Sequence, residues 1–210
     1  PHQPLWPHLL GEVAEEEGDF DRAAARYEEA IARDAPSAES WVRLALVRAR
    51  TDWKTGVRTL EEGAARFPGD PRFPVTVGAL CFHARKPREA IAAFERAETL
   101  LARLPAAGRR DLPVHPFFYF WFGVACDQVG QTERAESLFE SSIRLFPRVS
   151  EAYNYLAYLW AERRVNLERA LVYSRRSLEL KPDDPAYLDT LGWIQFRLGR
   201  LDEAERLVRQ

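Results

Sequence analysis

The side chains best equipped for chemistry are few and scattered along this chain. Four histidines (His2, His8, His83, His115) and two cysteines (Cys81, Cys126) are the residues that could ligate zinc or build a nucleophile and its base. None of the histidines belongs to a zinc-ligand pattern, which needs His or Cys in close pairs so that one element aims two ligands at one ion. Acidic runs stand at Glu15-Glu16-Glu17 and Glu28-Glu29, beside Arg22, Arg26 and Arg33. That neighbourhood favours solvated ion pairing over a general acid and base. Arg163-Arg164 and Arg175-Arg176 could line an anion site, but charged pairs on helices ordinarily form a solvated face. No phosphate loop, dinucleotide fingerprint or nucleophile elbow is present. The expectation is a chain that is not an enzyme and holds no cofactor or metal.

Composition narrows the partners. The formal net charge is -2, whereas nucleic-acid binders carry a basic surplus, so no nucleic acid is expected. Lys54, Lys86 and Lys181 are the only lysines, and arginine supplies the remaining positive charge, a mark of GC-rich coding. No apolar run is long enough to span a bilayer. Strand-like alternation is absent, and the apolar residues recur at helical spacing.

The elements that must position these residues form a series. A helix-turn-helix pattern returns six times at a spacing of about 34 residues. The repeat ending at Pro147 runs Tyr119, Phe122, Gly123, Cys126, Gly130, Ala135, Phe139, Ser142, Pro147. The first repeat supplies Leu10, Gly11, Ala14, Gly18, Ala23 and Tyr27; the third supplies Gly78, Cys81, Ala90 and Phe94; the sixth supplies Leu191, Gly192, Gly199 and Ala204. The series resembles the tetratricopeptide repeat (TPR) family, whose pattern is W-x2-L-G-x2-Y, then A-x3-F, then P. The resemblance covers nearly the whole chain. It implies an all-α fold, a right-handed superhelical α-solenoid of about six helix pairs with the sixth incomplete. The repeats fall at 4–37, 38–70 and 71–104, then 116–149, 150–184 and 185–210, with an irregular insertion at 105–115.

The pattern has a packing logic. Small residues let the two helices of a repeat approach closely, and larger ones fill the gaps around them. Gly18, Gly130 and Gly199 are placed to end first helices in the left-handed conformation. Asp70-Pro71 and Asp184-Pro185 are helix starts, with Asp as cap and Pro at the first position. Pro68, Pro147 and Pro182 mark where second helices finish. The insertion, with its prolines and glycine, cannot be one continuous helix. It reads either as a tolerated surface loop or as a partner contact carrying Arg109, Arg110 and His115. Cys81 and Cys126 take the same position in neighbouring repeats. Adjacent helices lie about 8–10 Å apart and a disulfide needs Cα atoms within about 7 Å, so two unpaired, buried thiols are expected.

The chain starts Pro-His-Gln-Pro, has no methionine and stops inside the second helix of repeat six. It reads as a piece of a longer protein, with apolar surface exposed at the open end.

The resemblance also implies where a partner sits. First helices of TPR repeats line the concave face; spacing alone says only that the chosen residues share a helix face. In repeats one and two these are small, aliphatic or charged: His8, Glu12, Glu15, Glu16, then Val42, Leu46, Ala49 and Arg50. Repeats three to six bring Phe82, His83, Phe117, Phe120, Asp127, Gln128, Asn154, Tyr158, Trp193, Phe196 and Arg197. The aromatics are interface anchors, and the polar side chains could bind a peptide backbone. Alternatively, the aromatics pack against neighbouring second helices, or cover a helix from a missing C-terminal part; Trp193, directly after Gly192, fits a structural role best. Of the Lys/Asn clamp by which some TPR domains grip a C-terminal carboxylate, only Asn154 is present.

The reading is therefore a non-catalytic scaffold or adaptor whose partner is another protein, presented as an apolar peptide segment or a helix. Two alternatives stay open. One is a structural or assembly subunit contacting through the array ends and the 105–115 insertion, with self-association through the open C-terminal end. The other is an accessory TPR domain of a longer enzyme. The last two repeats resemble bacterial envelope-associated TPR proteins, which implies a bacterial chain on the cytoplasmic or periplasmic side of the envelope.

Overall fold

Alternating large and small residues at helical spacing can bury themselves only by pairing helices, and paired helices are what form. The computed structural model describes residues 6–33, 37–104 and 115–208. Among the described residues every regular element is an α-helix: α1 (Trp6–Glu16), α2 (Phe20–Ala32), α3 (Ala38–Ala49), α4 (Trp53–Arg66), α5 (Arg72–His83), α6 (Pro87–Ala102), α7 (Phe118–Gln128), α8 (Thr132–Leu145), α9 (Ser150–Arg163), α10 (Leu167–Leu180), α11 (Pro185–Arg197) and α12 (Leu201–Val208). The chain divides into two compact units, Pro1–His115 with α1–α6 and Pro116–Gln210 with α7–α12. The insertion falls outside the described residues except for His115, which is exposed.

Glycine sets the closeness of three pairs. A Cβ added to Gly11 would lie 2.5 Å from the Tyr27 ring, one on Gly78 2.3 Å from Phe94, and one on Gly123 2.6 Å from Phe139. All three rings are fully buried. Ala45 and Ala157 hold the small position in the second and fifth pairs, also fully buried. Burying a Phe-sized side chain stabilises by about 1.5–3 kcal/mol, so these ring-on-backbone contacts anchor each pair.

The helix ends follow local chemistry. Asp19, Ser37, Asp52 and Asp184 accept backbone N–H bonds at 3.0–3.2 Å from the first turns of α2, α3, α4 and α11; each such cap contributes about 1 kcal/mol. Asp70 accepts from Arg72 N at 2.9 Å with Pro71 still outside the helix, so α5 begins one residue later than the Asp-Pro pair suggests. Gly18, Gly130 and Gly199 adopt φ of +77°, +81° and +77°. Two other first helices close the same way without glycine, through Arg85 (φ +57°) and Arg164 (φ +56°). The reason is that the closing bonds are all backbone: Lys86 N to Cys81 O and Val165 N to Trp160 O repeat the Gln131 N to Cys126 O bond, each 2.9–3.0 Å. Pro68, Pro147 and Pro182 each stand two residues beyond α4, α8 and α10.

Cys81 and Cys126 are buried and lie in no disulfide. Burial pushes the Cys81 thiol above its ordinary pKa, which leaves it a small packing residue rather than a nucleophile. No described helix is long and apolar enough to cross a membrane.

Candidate protein-binding face

The first helices of the N-terminal unit carry a ladder of paired charges. On α1, His8 Nδ1 meets Ser40 Oγ at 2.9 Å and His8 Nε2 lies 3.6 Å from Glu12. Arg43 on α3 reaches Glu12 and Glu15 on α1 at 3.7 Å each, and Glu39 at 3.4 Å. Glu39 passes the ladder to Arg72 on α5 at 3.2 Å, and Arg72 closes on Asp70 at 2.6 Å. The Asp70 hydrogen bond holds the Arg72 guanidinium above its ordinary pKa. Tyr27 donates to Glu15 at 2.5 Å; burial, then that acceptor, raises its phenol. Two expected partner-face residues belong to this unit. Phe82 is half-buried, with its ring 5.3 Å from that of exposed His83.

The C-terminal unit presents rings instead. Phe117 stacks on Trp121 at 5.8 Å and meets Phe120 edge-on at 5.9 Å. Phe120 in turn contacts Phe139 at 5.9 Å and Tyr155 at 6.1 Å. These two phenylalanines are half-buried and serve an internal cluster. Tyr155 crosses from α9 to donate to Asp127 on α7 at 3.0 Å; burial is the main reason its phenol is raised, with Asp127 second. Gln128 is exposed beside it.

The rings left facing water are Tyr158 on α9, 43% exposed, and Phe196 on α11, 49% exposed. Half-buried Trp193 joins them. Its indole donates to Glu162 at 2.7 Å, its ring stacks on Phe196 at 5.4 Å, and the Arg197 guanidinium lies 4.1 Å over its centroid. Arg197 also approaches Glu162 at 3.9 Å. Asn154, one turn before Tyr158, has a buried Oδ1 with no hydrogen-bond partner. Trp193 is thereby held by Glu162, Phe196 and Arg197, while the buried Arg197 Nε, like Asn154 Oδ1, has no hydrogen-bond partner.

Residue-type reasoning missed Tyr155, the hub of the internal cluster, because it stands off the helix stripe chosen for the inner face. One arginine of each adjacent pair meets an acid: Arg163 pairs with Glu133 and Glu136, and Arg176 with Glu179. Among the described residues no cluster of three metal-ligating side chains occurs.

Paired helices with a small-against-aromatic contact in each pair, and first helices bridged by side chains, define an all-α repeat protein. The Tetratricopeptide repeat family model matches residues 8–71 and 127–185, more than half of the chain. The chain belongs to the tetratricopeptide repeat family. It is 42% identical over 64 residues to the TPR repeat-containing protein PA4667 of Pseudomonas aeruginosa, a stretch that is 30% of this chain and 11% of that protein. Among solved structures it is similar to PilF of Pseudomonas aeruginosa (TM-score 0.79, 16% identity, 97% of this chain and 88% of that one). It is also similar to YrrB, described as a TPR protein with an unusual peptide-binding site (TM-score 0.63, 18% identity, 89% and 90%).

Proposed function

We propose that this chain is a non-catalytic interaction scaffold, and that the first-helix face of its C-terminal unit holds an apolar peptide segment or partner helix. The observation that carries this reading is the exposure of two rings, Tyr158 on α9 and Phe196 on α11, the latter stacked on a Trp193 held by Glu162 and Arg197. Rigid rings held in place lose little entropy on binding, which is why such residues dominate interfaces. YrrB, a protein of the same fold with a peptide-binding site, supports the assignment by analogy. Phe117 and Phe120 act behind the face, as packing for α7 and α9.

A photo-crosslinking residue at position 158, compared with one at exposed Val172 on α10, tests the face. In cells of the source organism, position 158 should capture a discrete protein that position 172 does not. Equal capture at both positions would remove the assignment.

One observation favours a second reading, an assembly subunit. Trp6, Leu9, Leu10 and Val13 on α1 are 58%, 45%, 42% and 45% exposed, an apolar stripe of the kind that marks contact surfaces. Light scattering of the chain and of its Leu9→Glu/Val13→Glu variant decides it: a larger species present only without the substitutions supports assembly through α1.

A further inference from the structure

Inside the C-terminal unit one docking step occurs twice. α9 packs against α8, and α11 packs against both α9 and α10. Each incoming helix carries a tyrosine, a tryptophan and an arginine in that order, and each of them contacts the helices already in place. α9 sets Tyr155 against Phe139, Trp160 against Glu136, and finally Arg163 against Glu133 and Glu136. α11 sets Tyr187 against Ser150 and Trp193 against Glu162; Arg197 then approaches Glu162, and Arg200 just beyond the helix meets Glu168 at 3.0 Å. Arg163 and Arg200 meet acids near the start of the preceding second helix, Glu133 and Glu136 on α8 and Glu168 on α10, whereas Arg197 meets Glu162 near the end of the first helix α9.

The α11–α12 pair offers the same receiving surface. An open cleft between the two helices has Ala204 at its base, Trp193, Phe196 and Leu201 as apolar walls, and Asp189 and Glu205 at its edges. Phe196 and Leu201 are 49% and 60% exposed. Asp202 and Glu205 stand in the first turns of α12, at the register of Glu133 and Glu136 on α8.

We infer that this cleft seats an amphipathic helix of a partner protein, one with apolar residues a turn apart and arginines at its C-terminal end. This rests on the scaffold reading and specifies its partner. Charge decides against a second copy of the chain. The exposed apolar helix a copy could offer is α1, whose C-terminal end reads Glu15-Glu16-Glu17. Docked in the same direction, it would bring those acids onto Asp202 and Glu205, and like charges across an interface suppress wrong partners.

The probe is a fluorescein-labelled synthetic peptide of residues 185–200, PAYLDTLGWIQFRLGR, titrated with the intact chain by anisotropy. Saturable binding is expected. It should weaken at least about tenfold when the peptide carries Arg197→Glu and Arg200→Glu, and by a similar factor when the chain carries Leu201→Glu or Asp202→Arg. Leu201 and Asp202 are exposed, and unchanged helical circular dichroism verifies that these variants fold. Tyr158→Ala should leave peptide affinity within about twofold, which separates the cleft from the Tyr158 face: crosslinking at position 158 can fail while the cleft binds, and the reverse. No saturable binding, or equal binding by the charge-reversed peptide, overturns the inference. So does tighter binding of a peptide of residues 6–17, which would assign the cleft to a second copy.

Discussion

Arg43 and Tyr155 occupy the same register of their repeats, each in the second turn of a first helix, and each reaches back to an acid on the preceding first helix. Arg43 meets Glu15 as an ion pair at 3.7 Å, while Tyr155 meets Asp127 through a phenol hydrogen bond at 3.0 Å. The N-terminal unit thus joins α1 and α3 with charges that water screens, and the C-terminal unit joins α7 and α9 with rings that exclude water. The difference teaches that the repeat fixes where a bridge must fall and leaves its chemistry free. A face bridged by exposed ion pairs gains little from a partner, because those pairs are already solvated. A face bridged by rings keeps apolar area to offer.

The largest test of this contrast removes the ring behind the C-terminal face. Phe139→Ala should destabilise that unit by about 3–5 kcal/mol, and denaturant unfolding should show it together with loss of any ligand bound at Tyr158. A partner that still binds normally would break the link between the internal cluster and the face. Next in size, Gly78→Ala and Gly123→Ala should each cost about 1–3 kcal/mol by forcing Phe94 and Phe139 outward. Matching losses would show that the two units share one packing scheme beneath different surfaces; a loss in only one would show that they do not.

Alkaline titration examines what the units have in common. Burial raises the phenols of Tyr27 and Tyr155 above the ordinary value of 10.0. The folded chain therefore keeps both protons to higher pH than the unfolded chain does. Their contribution is whole below pH 10 and is lost as pH rises from there toward the folded values. Tyr27→Phe and Tyr155→Phe should each flatten the fall in stability measured above pH 10. The smallest effect is expected at Arg43→Gln, about 1 kcal/mol or less, fading as salt is raised. A loss of several kcal/mol that persists in 1 M salt would mean that the ladder holds the N-terminal unit together by more than screened charge.

Much of the architecture was legible in the chain because it depends on size alone. Gly11, Gly78 and Gly123 each precede an aromatic at a constant interval, and close helix pairing puts that ring against the glycine. Turn closure was legible where glycine supplies it and invisible at Arg85 and Arg164, where backbone hydrogen bonds impose a left-handed residue that the side chain does not announce. Spacing placed Tyr158 and Phe196 on one kind of helix face. It did not reveal that Phe117 and Phe120 are spent on Trp121, Phe139 and Tyr155, since periodicity says which way a residue points and not which neighbour arrives there.

The two buried cysteines lend the molecule a pair of clocks. Cys81 lies in one unit and Cys126 in the other, at 4% and 0% exposure, and the chain has no further thiol. A thiol reagent can reach each sulfur only when its own unit opens. Labelling rates followed separately at the two positions would therefore time the opening of each half in the unmodified protein, and would report whether a ligand on one half slows the other.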